Sequence, residues 1–359
     1  MTSKIRIGII GSGGIARMHV NAYRQMENVE IVGVADIVPD RASQFIATHH
    51  LNHAHAYEDH LVLLEQELDG VSICTPNVSH YQTTIDALAA GKNVLLEKPM
   101  SVTLQESVEM VEMSKKSGKM LSIGFQPRYD PNMQFIRNYI QDGNLGKIYY
   151  VEVGGGRRRG MPQGTFIRKE LAGAGALADI GCYSLDLALH TLGHPKPLTV
   201  SATVSNHFGT NPKYHPEAES FNVEDFGAAL IRLEGGITLQ FKTAWAMHMD
   251  TLGATRFLGT DAGMKITPYG EGPWSGVWDG GVGTITKYHD IGGRLTHTPI
   301  PCVRSDLNLF DEKVKDFVNA VANGLPAPIS GEQIILNQAI IDGIFRSSEL
   351  GKEVDIVLP

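Results

Sequence analysis

The chain has 359 residues, too many for one ordinary hydrophobic core, so two domains are expected. With 42% hydrophobic and 19% charged residues it has a globular composition, neither disordered nor fibrous. Its net charge of −8 offers no basic excess to neutralise phosphates, which argues against nucleic acid as a partner. Cys74, Cys182 and Cys302 are far apart and form neither a C-x-x-C pair nor a zinc spacing. They read as reduced thiols of a cytoplasmic protein with no metal site. The first strand is expected from about Lys4, which leaves no room for a leader peptide, and no apolar stretch approaches the ~20 residues that span a bilayer.

The apolar run Ile5–Ile10 feeds straight into Gly11-Ser12-Gly13-Gly14-Ile15-Ala16, a strand, a glycine turn and a helix start with G-x-G-x-x-A spacing. Gly11 allows the sharp turn, Gly13 lets the backbone approach a pyrophosphate, and small Ala16 lets the helix pack on the strand. The helix N-terminus, with Gly14 and Ile15 in its first turn, presents free N–H groups to the phosphates. A helix through Met26 and a strand Val29–Ala35 follow, ending in Asp36, about ~20 residues on, where an acid meets ribose hydroxyls. Such a carboxylate repels a 2′-phosphate. No arginine follows immediately, though Arg41 lies nearby, so NAD is expected over NADP.

The alternation continues with a helix Pro39–His49, a short strand Ala54–Tyr57 and a helix Glu58–Glu67. A strand Gly70–Cys74 stops at Thr75-Pro76-Asn77, and a helix His80–Ala90 ends at Gly91. A strand Asn93–Leu96, Glu97-Lys98-Pro99, a helix Leu104–Gly118 and a strand Met120–Gly124 complete a doubly wound α/β sheet of about six strands. The histidines from His49 to His60 span a helix end, a turn and a strand with no acid or cysteine in ligand spacing, and read as surface residues.

After Phe125 the pattern changes. A helix Pro131–Gln141, a strand Lys147–Gly155 and a helix Ala176–Leu192 precede β-type runs at Leu198–Asn206, Asp225–Leu233, Ile237–Ala246 and Thr255–Gly259. Gly235-Gly236 signals a hairpin, and the glycine-rich Tyr269–Gly293, with Trp274 and Trp278, reads as a long loop near a site or an interface. Helices Phe310–Asn323 and Gly331–Gly351 close the chain. The expected division is a dinucleotide-binding domain over 1–124 and an α+β substrate domain over 125–359, with a large, mainly antiparallel sheet. An open sheet face suits a homodimer or homotetramer.

The glycine turn, Thr75-Pro76-Asn77-x-x-His80, Glu97-Lys98-Pro99 and Gly175-Ala176-Leu177-x-Asp179-x-Gly181 together resemble the glucose–fructose oxidoreductase / inositol dehydrogenase (Gfo/Idh/MocA) family. The motifs run in order through most of the chain. The resemblance implies a Rossmann domain followed by a sheet domain that carries the substrate. It also implies hydride exchange between a nicotinamide and a carbohydrate or polyol carbon.

Lys98 follows the carboxyl end of a buried strand, the edge where open α/β sheets bind ligands. It reads either as a surface charge or as a cation that holds a substrate oxygen and lowers a neighbouring acid's pKa. The peptide before Pro99 is restricted and compatible with a cis bond. Asp179, Tyr183, Asp186 and His190 are spaced four, three and four apart, on one helix face. Asp186 and His190 are expected to face solvent. The resemblance gives Asp179 and Tyr183 a site role, although many family members carry histidine where this chain has Tyr183. A phenol with a pKa near ~10 needs a neighbouring ammonium to act as a base near neutrality. Tyr183 is therefore assigned as acid/base, Lys98 as its electrostatic partner and Asp179 as the residue orienting the hydroxyl; the sequence leaves open which of them carries the proton.

The remaining candidates are weaker signals. Arg128 matches the family's arginine after the last Rossmann strand. His80 fits either a cofactor contact or a cap on its own helix. Thr75, Pro76, Asn77 and Glu97 belong with the cofactor edge. Arg157-Arg158-Arg159, followed by glycines and Pro162, fits a solvated loop or a substrate clamp resembling members that oxidise glucosides at carbon three. Trp245 and His248 fit a sugar pocket, and Trp245 fits core equally well. The reading is an NAD-dependent dehydrogenase acting on a secondary hydroxyl of a sugar or glycoside. Its rivals are an inositol or polyol dehydrogenase, an NAD-using glycosidase of the same fold, and a non-catalytic nucleotide-sensing regulator.

Overall fold

The computed structural model describes residues 4–250, 252–268, 274–275 and 281–358. The chain forms two compact units, Met1–Gln126 with Leu307–Ile335, and Pro127–Asp306 with Leu336–Pro359.

In the first unit the apolar runs become six parallel strands: β1 (Ile5–Ile10), β2 (Val29–Ala35), β3 (His55–Tyr57), β4 (Gly70–Ile73), β5 (Asn93–Glu97) and β6 (Leu121–Gly124). They lie in the order β3-β2-β1-β4-β5-β6. β1 pairs with both β2 and β4, so the winding reverses beside it, and the carboxyl ends of these strands form the ligand-binding edge. The intervening helices are α1 (Gly14–Tyr23), α2 (Arg41–Thr48), α3 (His60–Leu64), α4 (His80–Ala89) and α5 (Leu104–Ser117). Thr103 and Glu106 close a reciprocal capping box at the start of α5.

The second unit begins with α6 (Pro131–Gln141), β7 (Ile148–Arg157) and the single turn α7 (Lys169–Ala172). A π-helical turn, Leu177–Gly181, runs directly into α8 (Cys182–Thr191). The strands that follow are β8 (Pro197–Ser205), β9 (Phe226–Leu233), β10 (Ile237–Ala244), β11 (Thr255–Gly259), β12 (Ala262–Pro268), β13 (Trp274–Ser275), β14 (Val282–Ile291) and β15 (Arg294–Ile300). After α9 (Leu309–Asn323) and α10 (Gly331–Leu350), β16 (Val354–Asp355) ends the fold. The ten strands make one sheet, β15-β14-β12-β11-β7-β10-β9-β8-β16, with β13 paired to β7. Every described pairing is antiparallel except β7 with β10. Along β9, Ala229, Ile231 and Leu233 are buried while Leu230 and Arg232 are exposed, the alternation of a sheet with one face covered. Gly235 and Gly236 take left-handed backbone, at φ +79° and +78°, and turn β9 back into β10.

Two expectations need correction. The division after Gly124 would give everything beyond it to the second domain, but Leu307–Ile335 clusters with the first unit. Val314, Phe317 and Val318 of α9 sit in the core formed by Ile7, Ile9, Val34 and Leu95, where a fully buried Phe317 contributes about 1.5–3 kcal/mol. Nor is Tyr269–Gly293 one loop: residues 282–291 form β14, paired to β12 and β15. The signal was present in the alternation Thr284, Thr286, Tyr288 and in the turn Gly292-Gly293. Trp274 pairs through its backbone with Arg157, and Trp278 lies outside the described residues.

Candidate active site

The glycine turn is shaped for a dinucleotide. Gly11 has φ +88°, and a Cβ there would come within 2.7 Å of the Cys74 carbonyl oxygen. A Cβ on Gly13 or Gly14 would meet nothing within 4 Å, so the backbone at the start of α1 fronts open space. Gly13 is the N-cap and carries no side-chain cap. The first-turn amides, including that of Ile15, therefore face a space that admits a pyrophosphate, while the Ile15 side chain packs on the core.

Asp36 stands at the end of β2. Its Oδ2 accepts from the Ser12 amide at 2.9 Å and the Ser12 hydroxyl at 2.6 Å, and its Oδ1 accepts from the Val38 amide at 3.0 Å. Burial pushes its pKa up. The donors from Ser12 and Val38, with Arg41 Nε 3.8 Å from Oδ2, outweigh this and hold the carboxyl below its usual value. A carboxylate anchored to the glycine turn is suited to ribose hydroxyls. These residues fit an NAD(P)-type dinucleotide.

Thr75, Pro76 and Asn77 follow β4, with Asn77 opening a short 3₁₀ turn into α4. The Thr75 hydroxyl is buried and unpartnered. His80 is 1% exposed; its Nδ1 lies 2.7 Å from the Pro99 carbonyl and its Nε2 3.0 Å from the Thr75 carbonyl. The ring does not cap α4; its two nitrogens face carbonyl oxygens of the protein.

Glu97, the last residue of β5, is also turned inward. Its Oε1 accepts from Lys313 Nζ of α9 and from His19 Nε2 at 2.6 Å. Burial opposes its ionisation, but Lys313 and His19 hold the carboxyl far below its ordinary range. Burial and Lys313 lower the His19 pKa, so the ring is neutral with its proton on Nε2. Nδ1 then accepts from the Ser72 hydroxyl at 2.9 Å, which in turn accepts from the Tyr23 hydroxyl at 2.7 Å. Every proton in this chain has one direction. Glu97 anchors the strand end through Oε1, and Lys98, which follows it, is joined to Pro99 by a cis peptide bond.

In the second unit, Glu224 caps the helix that carries Asp179 and Tyr183. Its Oε1 accepts from the Gly175 and Leu177 amides at 2.9 Å, its Oε2 from Gly175 at 2.9 Å, and its carbonyl from Ala176 at 3.0 Å. A Cβ on Gly175 would come within 2.0 Å of the Glu224 carbonyl oxygen, so only glycine fits. The expected single helix Ala176–Leu192 begins as a π turn, an irregularity frequent at functional sites, and Asp179 lies within it. Asp179 Oδ2 accepts from Trp245 Nε1 at 2.9 Å. Tyr183 lies in the first turn of α8, 8% exposed.

Residues 5–125 match an oxidoreductase family with an NAD-binding Rossmann fold, and residues 133–265 match the GFO/IDH/MocA C-terminal domain. The chain is 30% identical to D-glucoside 3-dehydrogenase of Escherichia coli (strain K12), over 99% of its own length and 98% of that protein. The chain belongs to the GFO/IDH/MocA oxidoreductase family. Glucose-6-phosphate 3-dehydrogenase of Bacillus subtilis (strain 168) is 31% identical over 51% of this chain and 52% of its own. The solved structure of levoglucosan dehydrogenase in complex with NADH, 20% identical, matches 99% of this chain and 100% of its own at a TM-score of 0.83, a likeness of fold. This GFO/IDH/MocA protein is thus an NAD(P)-dependent oxidoreductase whose first unit carries the Rossmann sheet.

Several expected roles change in this family member. Arg128 is buried and forks onto Asp186, with Nε 2.9 Å from Oδ2 and Nη2 2.6 Å from Oδ1. Asp186 therefore does not face solvent; it is 4% exposed. His194 Nε2 lies 3.3 Å from Arg128 Nη2, and burial with Arg128 lowers its pKa to about 4, so it accepts as a neutral ring. Trp245, which fitted a sugar pocket or the core, is fully buried. Arg157 donates to the Gly160 carbonyl at 2.7 Å, and Arg159 donates to the Met247 carbonyl at 2.7 Å while lying over the rings of Phe208 and Tyr214. Arg158 is exposed. Among the described residues no group of three or more His, Cys, Asp or Glu is arranged to hold a metal ion, and no helix is long and apolar enough to cross a membrane.

Proposed function

We propose that this chain is an NAD-dependent dehydrogenase of a sugar or glycoside that oxidises the secondary hydroxyl at carbon three, giving a 3-keto sugar. The full-length identity to a D-glucoside 3-dehydrogenase carries the reading. The cofactor is held by the first-turn amides behind Gly11, Gly13 and Gly14, with Asp36 taking the ribose hydroxyls and Thr75, Pro76 and Asn77 beside it. When bound, NAD supplies the hydride acceptor.

The chain's own residues prepare the hydroxyl. Lys98 holds the substrate oxygen with its ammonium. Asp179, its carboxylate aimed by Trp245, orients the sugar so that the reacting hydroxyl turns its proton toward Tyr183. Tyr183 takes the proton, assisted by Lys98. Arg158, exposed beside the tied-back Arg157 and Arg159, offers a forked donor to sugar hydroxyls. The same reading places the protein in the cytoplasm as a homodimer or homotetramer through the outer face of the large sheet. There Leu230 stands exposed and Glu152 is bridged to Lys242 and Arg256.

The test is product NMR after incubation of methyl β-glucoside with NAD. A carbonyl at carbon three is expected; a carbonyl at carbon one, or activity confined to inositols, overturns the substrate assignment. NAD is expected to bind at least about tenfold tighter than NADP, about 1.4 kcal/mol, by calorimetry. Equal affinities would remove the role given to Asp36.

A further inference from the structure

The His80 ring sits between two carbonyl oxygens, those of Pro99 and Thr75, with Nδ1 at 2.7 Å and Nε2 at 3.0 Å. A carbonyl can only accept, so each contact is a hydrogen bond only when the facing nitrogen bears a proton. A neutral imidazole bears one; an imidazolium bears two. The ring is 1% exposed, leaving little room for water to take over either bond.

The two carbonyls belong to different working segments. Thr75 opens the turn on the cofactor edge after β4, and Pro99 directly follows Lys98. We propose that His80 is a positioning residue that fastens the Thr75 turn to the Lys98–Pro99 segment, holding both carbonyls as an imidazolium and one at a time as a neutral ring. The proposal rests on the functional reading above in taking Thr75 as cofactor wall and Lys98 as the substrate-side cation.

The charged groups acting on the ring are Glu97 and Lys98. Burial and Lys98 disfavour the imidazolium, while the two carbonyls and Glu97 favour it. The net shift is downward, so the double clamp closes on the acid side of neutrality and drops to a single bond as pH rises. In the single-bond state the ring's one proton decides which segment is held. His80 thereby sets the cofactor turn against the lysine segment.

Two amide substitutions separate the two bonds. In His80→Asn the amide nitrogen falls where Nδ1 stands and keeps the Pro99 bond; in His80→Gln it falls where Nε2 stands and keeps the Thr75 bond. His80→Asn is expected to weaken NAD binding about tenfold with kcat changed by less than about threefold. His80→Gln is expected to lower kcat about tenfold with NAD binding nearly unchanged. NAD affinity is measured by calorimetry without sugar, and kcat on methyl β-glucoside. In the wild-type protein without cofactor, ¹⁵N–¹H correlation of the His80 ring should show one protonated nitrogen at pH 8 and gain a second as pH is lowered.

Equal losses in both parameters for both variants would overturn the proposal. If neither variant folds, a ring that gains no second proton before the wild type unfolds in acid overturns it, and the two-proton signal upholds it. A wrong sugar assignment would silence the kcat measurement alone, leaving NAD affinity and the ring spectrum to decide.

Discussion

Trp245 donates its indole N–H to Asp179 Oδ2 at 2.9 Å from a fully buried position. The bond fixes one oxygen of the carboxylate and with it the orientation of the group. Phe221 packs edge-on to the indole, with ring centroids 6.2 Å apart, so the donor is itself held by packing. Trp245→Phe keeps most of the ring and removes the donor. A hydrogen bond to a charged group contributes about 1.5–3 kcal/mol, so kcat is expected to fall about tenfold to a hundredfold while NAD affinity is unchanged. Steady-state kinetics alongside NAD calorimetry check this; a variant with wild-type kcat would make Trp245 a packing residue only.

Lys98 and Tyr183 are assigned the charge and the proton of the reaction. Lys98→Met is expected to reduce turnover by roughly two orders of magnitude with NAD binding nearly unchanged, the range for losing acid–base assistance. Tyr183→Phe should lose a similar factor, and its pH–rate profile should lose the basic-side requirement. Full activity in Tyr183→Phe would move the proton to Asp179 or Lys98.

Glu97 and Lys313 form a buried pair across a sequence separation of 216 residues. Removing one member leaves an uncompensated charge, typically a loss of about 3–5 kcal/mol. Lys313→Met is therefore expected to lower the urea midpoint sharply, and adding Glu97→Leu should recover part of the loss. The pH dependence has a definite sign. Folding depresses the Glu97 pKa below its ordinary 4.5, so the pair's contribution is complete above that value and lost as pH falls below it. Glu97→Gln should show a shallower loss of stability than the wild type as pH falls below about 4.5. A parallel loss would place the acid sensitivity elsewhere.

The same pair shows where sequence reading ran out. The glycine turn was legible because its geometry demands particular residues: only glycine tolerates φ +88° at Gly11 against the Cys74 carbonyl. Asp36 was legible from its distance along the chain. Helix α9 was legible as a helix, but periodicity reports that a face is apolar and says nothing of which core buries it. His19, Lys313 and Glu224 went unnoticed because a polar residue inside a helix or strand carries no local mark of a distant partner. Asp186 was noticed and misplaced for the same reason: its spacing from Asp179 and Tyr183 describes a helix face, and only the fold shows that Arg128 meets it. Glu97 was drawn outward by its motif neighbour Lys98, although strand alternation sends adjacent side chains to opposite sides.

Glu224 supplies a pH prediction of the opposite sign to Glu97. Burial raises its pKa from 4.5 to about 7, against the lowering effect of the Gly175 and Leu177 amides. In the folded protein it therefore keeps a proton that the unfolded chain has released above 4.5. Its contribution to stability is complete below that value and is lost as pH rises through about 7. Where only the folded state is protonated, the loss approaches about 1.4 kcal/mol per pH unit. Glu224→Gln retains an oxygen for the Gly175 and Leu177 amides and cannot ionise. Between pH 5 and pH 8 the wild type should lose stability relative to Glu224→Gln, measured by urea unfolding at each pH. Because the side chain caps the turn that carries Asp179, kcat of Glu224→Gln should stay within a few-fold of wild type, whereas Glu224→Ala, which strips the amides of their acceptor, should lose both stability and turnover. A constant stability difference across the pH range would mean that Glu224 keeps one protonation state throughout, with the amides outweighing burial.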